Sequence, residues 1–283
     1  MANVAIVTDS AADLPPAQAA AAEITVVPLL LTFGEREYHA GVDITTDEFW
    51  RELTAPGAPF PKTAAAAPGT FRETFEGLFV SGAEEVVYVG VGEKLSATIA
   101  SAKVARDMLR ERRIHIVDSA SASMGIGLLA LLAAERAAAG ASGAEIAAEI
   151  ERRRDDLRLY VVLETLEYLK RGGRISPARA AIGGVLSVKP IITIEDGVVE
   201  TADKPRTRSK ARARLLELFG GARPERVAVQ HGQSSDVASF ADELAEVTGY
   251  PRSQMTIHLI GSSVGPHVGP GAYGAVVLLP AGG

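Results

Sequence analysis

The fold is decided at residues 163–176, which have the sequence Leu-Glu-Thr-Leu-Glu-Tyr-Leu-Lys-Arg-Gly-Gly-Arg-Ile-Ser. This stretch predicts a short helix with Thr165 as its N-cap and two basic residues at its negatively polarised end. Gly172 is predicted to end the helix in the left-handed conformation, and Gly173 lets the chain turn sharply. Arg174 then lies on a Gly-Gly turn between two halves of the chain whose patterns of predicted strands and helices differ. A cation held in this way suits an anion-binding site.

Upstream of this stretch, short apolar runs alternate with helical patterns, which is typical of a parallel sheet flanked by helices. Residues 56–68 are rich in Pro and Ala and predict a loop that contains Lys62 and Thr63. The predicted strands are residues 4–8, 24–33, 86–91 and 114–117.

Downstream, from about residue 157, the alternation changes. The turn Glu195-Asp196-Gly197 joins two apolar runs and predicts a hairpin, so this half contains antiparallel strands. We therefore predict an α/β protein with two α/β domains, each with its own core. Residues 1–157 form a parallel sheet flanked by helices, and residues 158–283 form a mixed or antiparallel sheet with helices.

Composition excludes several classes of protein. The 283 residues include no Cys, so disulfides, thiol nucleophiles and Cys-based zinc sites are excluded. A net charge of −6 and only 5% aromatic residues argue against nucleic-acid binding. The N-terminus reaches Asp9 too soon for a signal peptide, and the longest apolar run, residues 124–134, is too short to cross a bilayer. We expect a cytoplasmic protein without stable membrane insertion.

Two motifs suggest enzymes but lack the context that each chemistry needs. Residues 261–265 match the G-x-S-x-G nucleophile elbow around Ser263, yet no Asp or Glu follows to complete a triad. Residues 125–130 match a dinucleotide fingerprint but lie too far beyond a strand, so helix packing is the preferred interpretation. We predict no catalytic residue and no metal site, because the histidines lack ligand spacing. These are His39, His115, His231, His258 and His267.

An enzyme nevertheless stays open as the alternative. A small-molecule hydrolase or transferase would use the N-terminal domain, where Asp9-Ser10 and Asp118-Ser119 follow predicted strands. Those pairs are also good helix caps, which is the interpretation that we favour.

Several polar residues are candidates for binding an anion. Ser96 and Thr98 lie at the start of a predicted helix, where hydroxyls serve either as caps or as part of an anion-binding end. His267 lies in a rigid loop rich in Gly and Pro, which can hold an imidazole at a cleft edge. The basic run at residues 204–214 predicts a solvated helix face, although Arg206 precedes the helix start.

Taken together, these stretches resemble the DegV family of bacterial fatty-acid-binding proteins over essentially the whole chain. Any one motif is weak, but the set in this order is specific. The motifs are Val-Thr-Asp-Ser-Ala-Ala-Asp-Leu at 7–14, Lys62-Thr63, Leu-Ser-Ala-Thr at 95–98, Ser101-Ala102, Val-Asp-Ser at 117–119, residues 166–176, Val-Lys-Pro at 188–190 and Gly-Pro-His-Val-Gly-Pro-Gly at 265–271.

The resemblance implies a fatty acid in an apolar tunnel between the two domains. It places the carboxylate at Thr63, Ser96 and His267, with Thr98 beside them. It associates Arg174, and less directly Arg206, with the phosphorylated head group or with kinase docking.

The implied role is to present a long-chain fatty acid to a separate fatty-acid kinase, which makes an acyl phosphate for phospholipid metabolism. Such a carrier needs no cofactor beyond its bound acid. The chain departs from the family pattern at residues 64–67, which are all Ala where polar residues are common, and at Ala97, where Gly is usual. These departures remove polar groups close to the implied head-group site.

Overall fold

A computed structural model of the chain describes residues 3–175 and 188–282. The strands in these ranges form three sheets, of four, three and six strands, with helices packed against them. The predicted α/β class, with one parallel and one mixed sheet, is confirmed.

The four-stranded sheet is parallel throughout, in the order β2-β1-β6-β7. Its two central strands are almost entirely buried, as expected for a parallel sheet covered on both faces. The strands are β1 (Val4–Asp9), β2 (Ile24–Val27), β6 (Glu85–Gly90) and β7 (Arg113–Asp118).

The second sheet shows two differences from the prediction. Residues 24–33 are not one strand, because Pro28, which lacks an N–H group, separates β2 from β3 (Leu30–Phe33). A hairpin turn at Gly34-Glu35 joins β3 to β4 (Arg36–His39). On its other side β3 pairs with β5 (Lys62–Ala64), inside the predicted loop. Three residues are too few to show strand alternation, so the sequence pattern could not reveal β5.

The six-stranded sheet has the order β10-β9-β8-β13-β11-β12, and only the β11–β12 pair is parallel. The predicted hairpin joins β9 to β10. The strands are β8 (Leu157–Val162), β9 (Ile191–Glu195), β10 (Val198–Asp203), β11 (Arg226–His231), β12 (Thr256–Leu259) and β13 (Tyr273–Leu278).

The helices begin where the sequence provides caps. Thr45 with Glu48, and Ser142 with Glu145, form complete capping boxes at the starts of α2 and α6. The Thr207 hydroxyl caps the basic helix α8. The helices are α1 (Pro16–Ala21), α2 (Thr46–Leu53), α3 (Pro68–Val80), α4 (Thr98–Met108), α5 (Met124–Ala138), α6 (Gly143–Arg153), α7 (Glu167–Arg171), α8 (Arg208–Phe219), α9 (Val237–Thr248) and α10 (Gly265–Val268).

Helix α5 joins the two halves of the molecule, because it contacts β1 and β6 of the parallel sheet and β11 and β13 of the mixed sheet. A Cβ at Gly127 would lie 2.9 Å from the Ala12 carbonyl oxygen, so this glycine permits close packing, as predicted. The larger hydrophobic cluster contains residues of both halves, whereas the smaller cluster lies entirely within residues 160–279. The domain division near residue 157 stays a prediction.

No helix within residues 3–175 or 188–282 combines the length and the apolar character needed to span a bilayer.

Candidate functional site

A cavity of about 860 Å³, counting its open mouth, lies between the mixed sheet and the loops that follow strands β1, β6 and β7. Its position at the carboxyl ends of parallel strands is the usual place for a ligand site in an α/β fold. The apolar lining consists of Ala11, Leu29, Ala64, Val91, Leu95, Ala122, Leu159, Val161, Leu169, Ile192, Ile194, Val199, Ile260, Val264 and Val268. The polar lining consists of Thr63, Ser96, Ser123, Arg174, Gln230, Ser263 and His267.

The Thr63–His267 pair joins the two halves of the chain at the cavity wall. Thr63 Oγ1 and His267 Nε2 are 3.1 Å apart. The register of β5 against β3, with Thr63 opposite Leu31, fixes the threonine, and the short helix α10 carries the histidine. The structure therefore brings together two residues that the sequence separates by 204 positions.

The imidazole of His267 is neutral at pH 7. Burial, and secondarily the positive charge of Arg174, lower the pKa of His267 to about 4. Its Nδ1 is buried and has no hydrogen-bond partner among the described residues. A Cβ at Gly172 would overlap this nitrogen, so the glycine allows the α7 turn to lie directly on the ring.

Ser96 and Thr98 have different positions. Ser96 lines the cavity, whereas Thr98 is fully buried and is not part of the lining. Their hydroxyl oxygens are 2.7 Å apart, and Ser96 Oγ also accepts the Thr98 N–H at 3.3 Å. Thr98 therefore lies behind Ser96, and its part in ligand binding stays a prediction. Thr98 holds the Ser96 hydroxyl in place at the start of α4.

Arg174 is half-buried and lines the cavity. Its Nε donates to the Leu95 carbonyl at 3.1 Å, and its Nη1 donates to the Gly172 carbonyl at 2.7 Å. Burial lowers the pKa of Arg174, and within the described ranges no carboxylate forms an ion pair with it. A cation that is partly desolvated without a counterion favours the binding of an anion.

The turn that carries Arg174 also differs in detail from the prediction. Gly173, with φ +70°, is the left-handed residue, while Gly172 has φ −75°. The N-cap position is Leu166, although the Thr165 hydroxyl accepts the Glu167 N–H at 3.1 Å. Gly172 is needed for its contact with the imidazole and not for its backbone angle.

Arg206 is exposed between β10 and α8 and takes no part in the cavity lining. The rest of the basic run is not simply a solvated face. Arg208 pairs with Glu164 and Asp236, and Arg212 pairs with Asp236 and Glu243. The nearby acids therefore neutralise part of the positive charge that a nucleic acid would need.

A second polar cluster, which sequence reasoning missed, lies elsewhere on the cavity wall. The Ser123 hydroxyl is within hydrogen-bond distance of both Asp13 Oδ2 and Gln230 Oε1. Asp13 Oδ1 accepts the Gly261 N–H at 2.9 Å. The only signal in the sequence is a single Gln after three aliphatic residues of a strand, at Val227–Gln230.

The side chains that suggested an enzyme are held in structural contacts. Helix α10 begins soon after Ser263, as a nucleophile elbow requires, but Ser263 Oγ pairs with Ser10 Oγ at 2.8 Å. Asp9 accepts the Tyr88 hydroxyl and the Val91 N–H, and Asp118 accepts two backbone N–H groups. Among the described residues, no Asp or His side chain forms a hydrogen bond with the Ser263 hydroxyl, so a triad at the elbow motif lacks its base.

Metal binding has no support in the described ranges, where no group of three or more His, Asp or Glu side chains is arranged to hold an ion.

Comparison with known proteins identifies the family. A family model described as "Uncharacterised protein, DegV family" matches residues 3–279. The chain belongs to the DegV family. A DegV domain-containing protein of Streptomyces coelicolor is 37% identical over 282 residues, which cover 97% of this chain and 98% of that protein.

Solved DegV structures share the whole fold. A DegV family protein from Thermus thermophilus, described by its fatty acid binding, has a TM-score of 0.89 and 32% identity, with 98% of this chain and 100% of the other covered. Bacillus subtilis DegV, described as a fatty acid binding protein, has a TM-score of 0.87 and 30% identity, with 99% and 100% covered. The family resemblance in the sequence motifs is therefore confirmed.

Proposed function

We propose that this DegV family chain binds one long-chain fatty acid in the cavity and presents its carboxylate to a separate fatty-acid kinase for acyl-phosphate formation. The observation that carries the proposal is the apolar cavity whose wall holds Thr63, Ser96, His267 and Arg174. The fatty acid binding of the Thermus and Bacillus relatives supports it.

The cavity suits an amphipathic anion. Burying a C16 chain contributes about 10 kcal/mol at ~0.8 kcal/mol per CH₂, before the losses of entropy on binding. The carboxylate would be bound by two hydroxyls, a neutral imidazole and the Arg174 guanidinium. Because Arg174 lies on the cavity wall, we assign it to carboxylate binding as well as to the transfer step.

Binding can be tested on the purified protein and on variants that fill the cavity. We expect mass spectrometry of a solvent extract to show C14 to C18 fatty acids in stoichiometric amount. Val161→Phe, which places a larger ring in the lining, should reduce the amount of bound lipid severalfold. Val80→Phe is the control, because Val80 is 86% exposed. An extract without fatty acid, from protein that also fails to bind added palmitate, would refute the proposal.

The role of Arg206 in kinase docking needs a separate test. Its exposed position outside the cavity supports a contact with a partner protein. We expect Arg206→Ala to reduce acyl-phosphate formation with ATP and the fatty-acid kinase of the same genome, and to leave lipid retention unchanged. Lys210→Ala, at another exposed basic position, is the matched control. Equal kinase activity for the two variants would contradict the docking role.

None of the contacts described for this site favours the alternative of a small-molecule enzyme. A cytoplasmic location and a role in phospholipid metabolism remain part of the proposal.

A further inference from the structure

Gln230 is an unusual side chain for the wall of an apolar cavity. It is 1% exposed, and it follows the buried residues Val227, Ala228 and Val229 in β11. Strands β11, β13, β8 and β9 pair side by side in register, which places Gln230 level with Val161 and Ile192 across the sheet. Val161 and Ile192 also line the cavity. A carboxamide at such a position needs hydrogen-bond partners, because an unpaired buried polar group is costly.

The orientation of the Gln230 carboxamide is fixed by its neighbours. Its Oε1 accepts the Met124 N–H at the start of α5, at 3.4 Å, and lies beside the Ser123 hydroxyl. An N–H group needs an acceptor, so the oxygen must face α5 and the NH₂ group must point away from it. Within the described ranges the Nε2 atom donates no hydrogen bond. Since Gln230 lines the cavity, its two N–H donors are left for the contents of the cavity.

The proton count of this cluster supports the same orientation. The single Ser123 proton lies between Asp13 Oδ2 and Gln230 Oε1, which are both acceptors when Asp13 is ionised. Burial, with a smaller contribution from Asp9, raises the pKa of Asp13 to about 7. A protonated Asp13 donates to Ser123, which then donates to Gln230 Oε1. Every oxygen of the cluster is satisfied in this arrangement, and the NH₂ group is not.

A second hydroxyl on the cavity wall can complete a site for oxygen. Ser263 Oγ lines the cavity and pairs with Ser10 Oγ, which also accepts the Leu29 N–H. A hydroxyl has one donor and two acceptor sites, and the Ser10 pairing uses one of them, so Ser263 can also bind a ligand oxygen. An alcohol in the cavity could then accept from Gln230 and donate to Ser263.

We propose that the cavity accepts hydroxy fatty acids, with the hydroxyl of the acyl chain bound by Gln230 Nε2 and Ser263 Oγ. This inference rests on the proposed fatty-acid binding and specifies the class of chain. An unsubstituted chain leaves the Gln230 donors unpaired, whereas a hydroxylated chain satisfies them and is itself satisfied. A site built to hydrogen-bond a hydroxyl discriminates against the analogue that lacks it.

The test compares delipidated protein with stearic acid and with a set of hydroxystearic acids that differ in hydroxyl position. Dissociation constants are measured by displacement of a fluorescent fatty acid. We expect at least one hydroxystearic acid to bind the wild type as tightly as stearic acid or more tightly. Gln230→Met keeps the side-chain length but removes the amide, and should shift the ratio of the two constants about tenfold towards stearic acid. Gln254→Leu, at an exposed position, should leave the ratio unchanged.

The outcomes separate the two proposals. If the wild type binds stearic acid but binds every hydroxystearic acid more than tenfold more weakly, the hydroxyl site is wrong and the fatty-acid site stands. An unchanged ratio in Gln230→Met also overturns the hydroxyl site. Binding of neither acid overturns both. If Gln230→Met does not fold, the wild-type comparison still decides.

Discussion

The substitution Asp13→Asn should stabilise the protein more at pH 8 than at pH 5. In the structure Asp13 Oδ1 accepts the Gly261 N–H, and Oδ2 lies beside the Ser123 hydroxyl. An Asn side chain reproduces the protonated acid, because its oxygen can accept from Gly261 and its NH₂ group can donate to Ser123. Ser123 then still donates to Gln230 Oε1.

The magnitude follows from the pKa of Asp13, which burial raises from 3.8 to about 7. A raised pKa in the folded state means that stability is greatest below the unfolded value and is lost as the pH rises through about 7. At 1.36 kcal/mol per unit, the full loss is about 4 kcal/mol, of which roughly 2–3 kcal/mol falls between pH 5 and pH 8. Burial also raises the pKa of Asp9, so some pH dependence of the same sign should persist in the variant.

The assay is thermal or urea unfolding of wild type and variant at several pH values between 5 and 8.5. The advantage of Asp13→Asn in Tm should grow by roughly 5–10 °C between pH 5 and pH 8, at ~2–4 °C per kcal/mol. Asp155→Asn is the control, because that side chain is 84% exposed. Parallel curves for wild type and Asp13→Asn, or an advantage that shrinks as the pH rises, would refute the reasoning.

Two further predictions concern the cavity wall. Ser96→Ala should weaken fatty-acid retention roughly ten- to a hundredfold, because a charge-assisted hydrogen bond contributes ~1.5–3 kcal/mol. Ser253→Ala, at an exposed position, is the control and should leave retention unchanged. Retention is measured by lipid extraction after dialysis. Gly172→Ala should displace the His267 ring and so lower both Tm and lipid retention. Gly69→Ala is the control, because a Cβ there meets nothing within 4 Å, and it should leave both unchanged. Wild-type values for Gly172→Ala would show that this contact does not hold the ring.

Much of the fold follows from local chemistry that the sequence displays. The capping boxes at Thr45 and Ser142 predict helix starts because the N-cap and the acid three residues later satisfy each other's backbone donors. The hairpin at Glu195-Asp196-Gly197 is predicted because its turn needs positive φ, and Asp196 and Gly197 do have φ of +50° and +73°. These signals lie within a few residues, where a single sequence is informative.

The parts that were missed depend on contacts between distant segments. Strand β5 forms because it pairs with β3, where Leu31 lies opposite Thr63, and its three residues show no sequence pattern of their own. The half-buried position of Arg174 depends on the Leu95 carbonyl, 79 residues away. Gln230 becomes a candidate ligand-binding residue only because Ser123 and the Met124 N–H bind its Oε1 and leave its NH₂ group facing the cavity. No spacing rule encodes such encounters, since they arise from packing.

The place of β13 in the mixed sheet has a consequence for biosynthesis. In the finished sheet β13 separates β8 from β11 and pairs with both, yet Tyr273 follows Val162 by more than a hundred residues. At ~5–20 residues per second, β8 leaves the ribosome roughly 5–20 seconds before its central partner is made. The wall that carries Val161 and Gln230 cannot close during that interval. Ligand loading therefore follows the synthesis of β13, and truncated products that end before β13 should not retain a ligand.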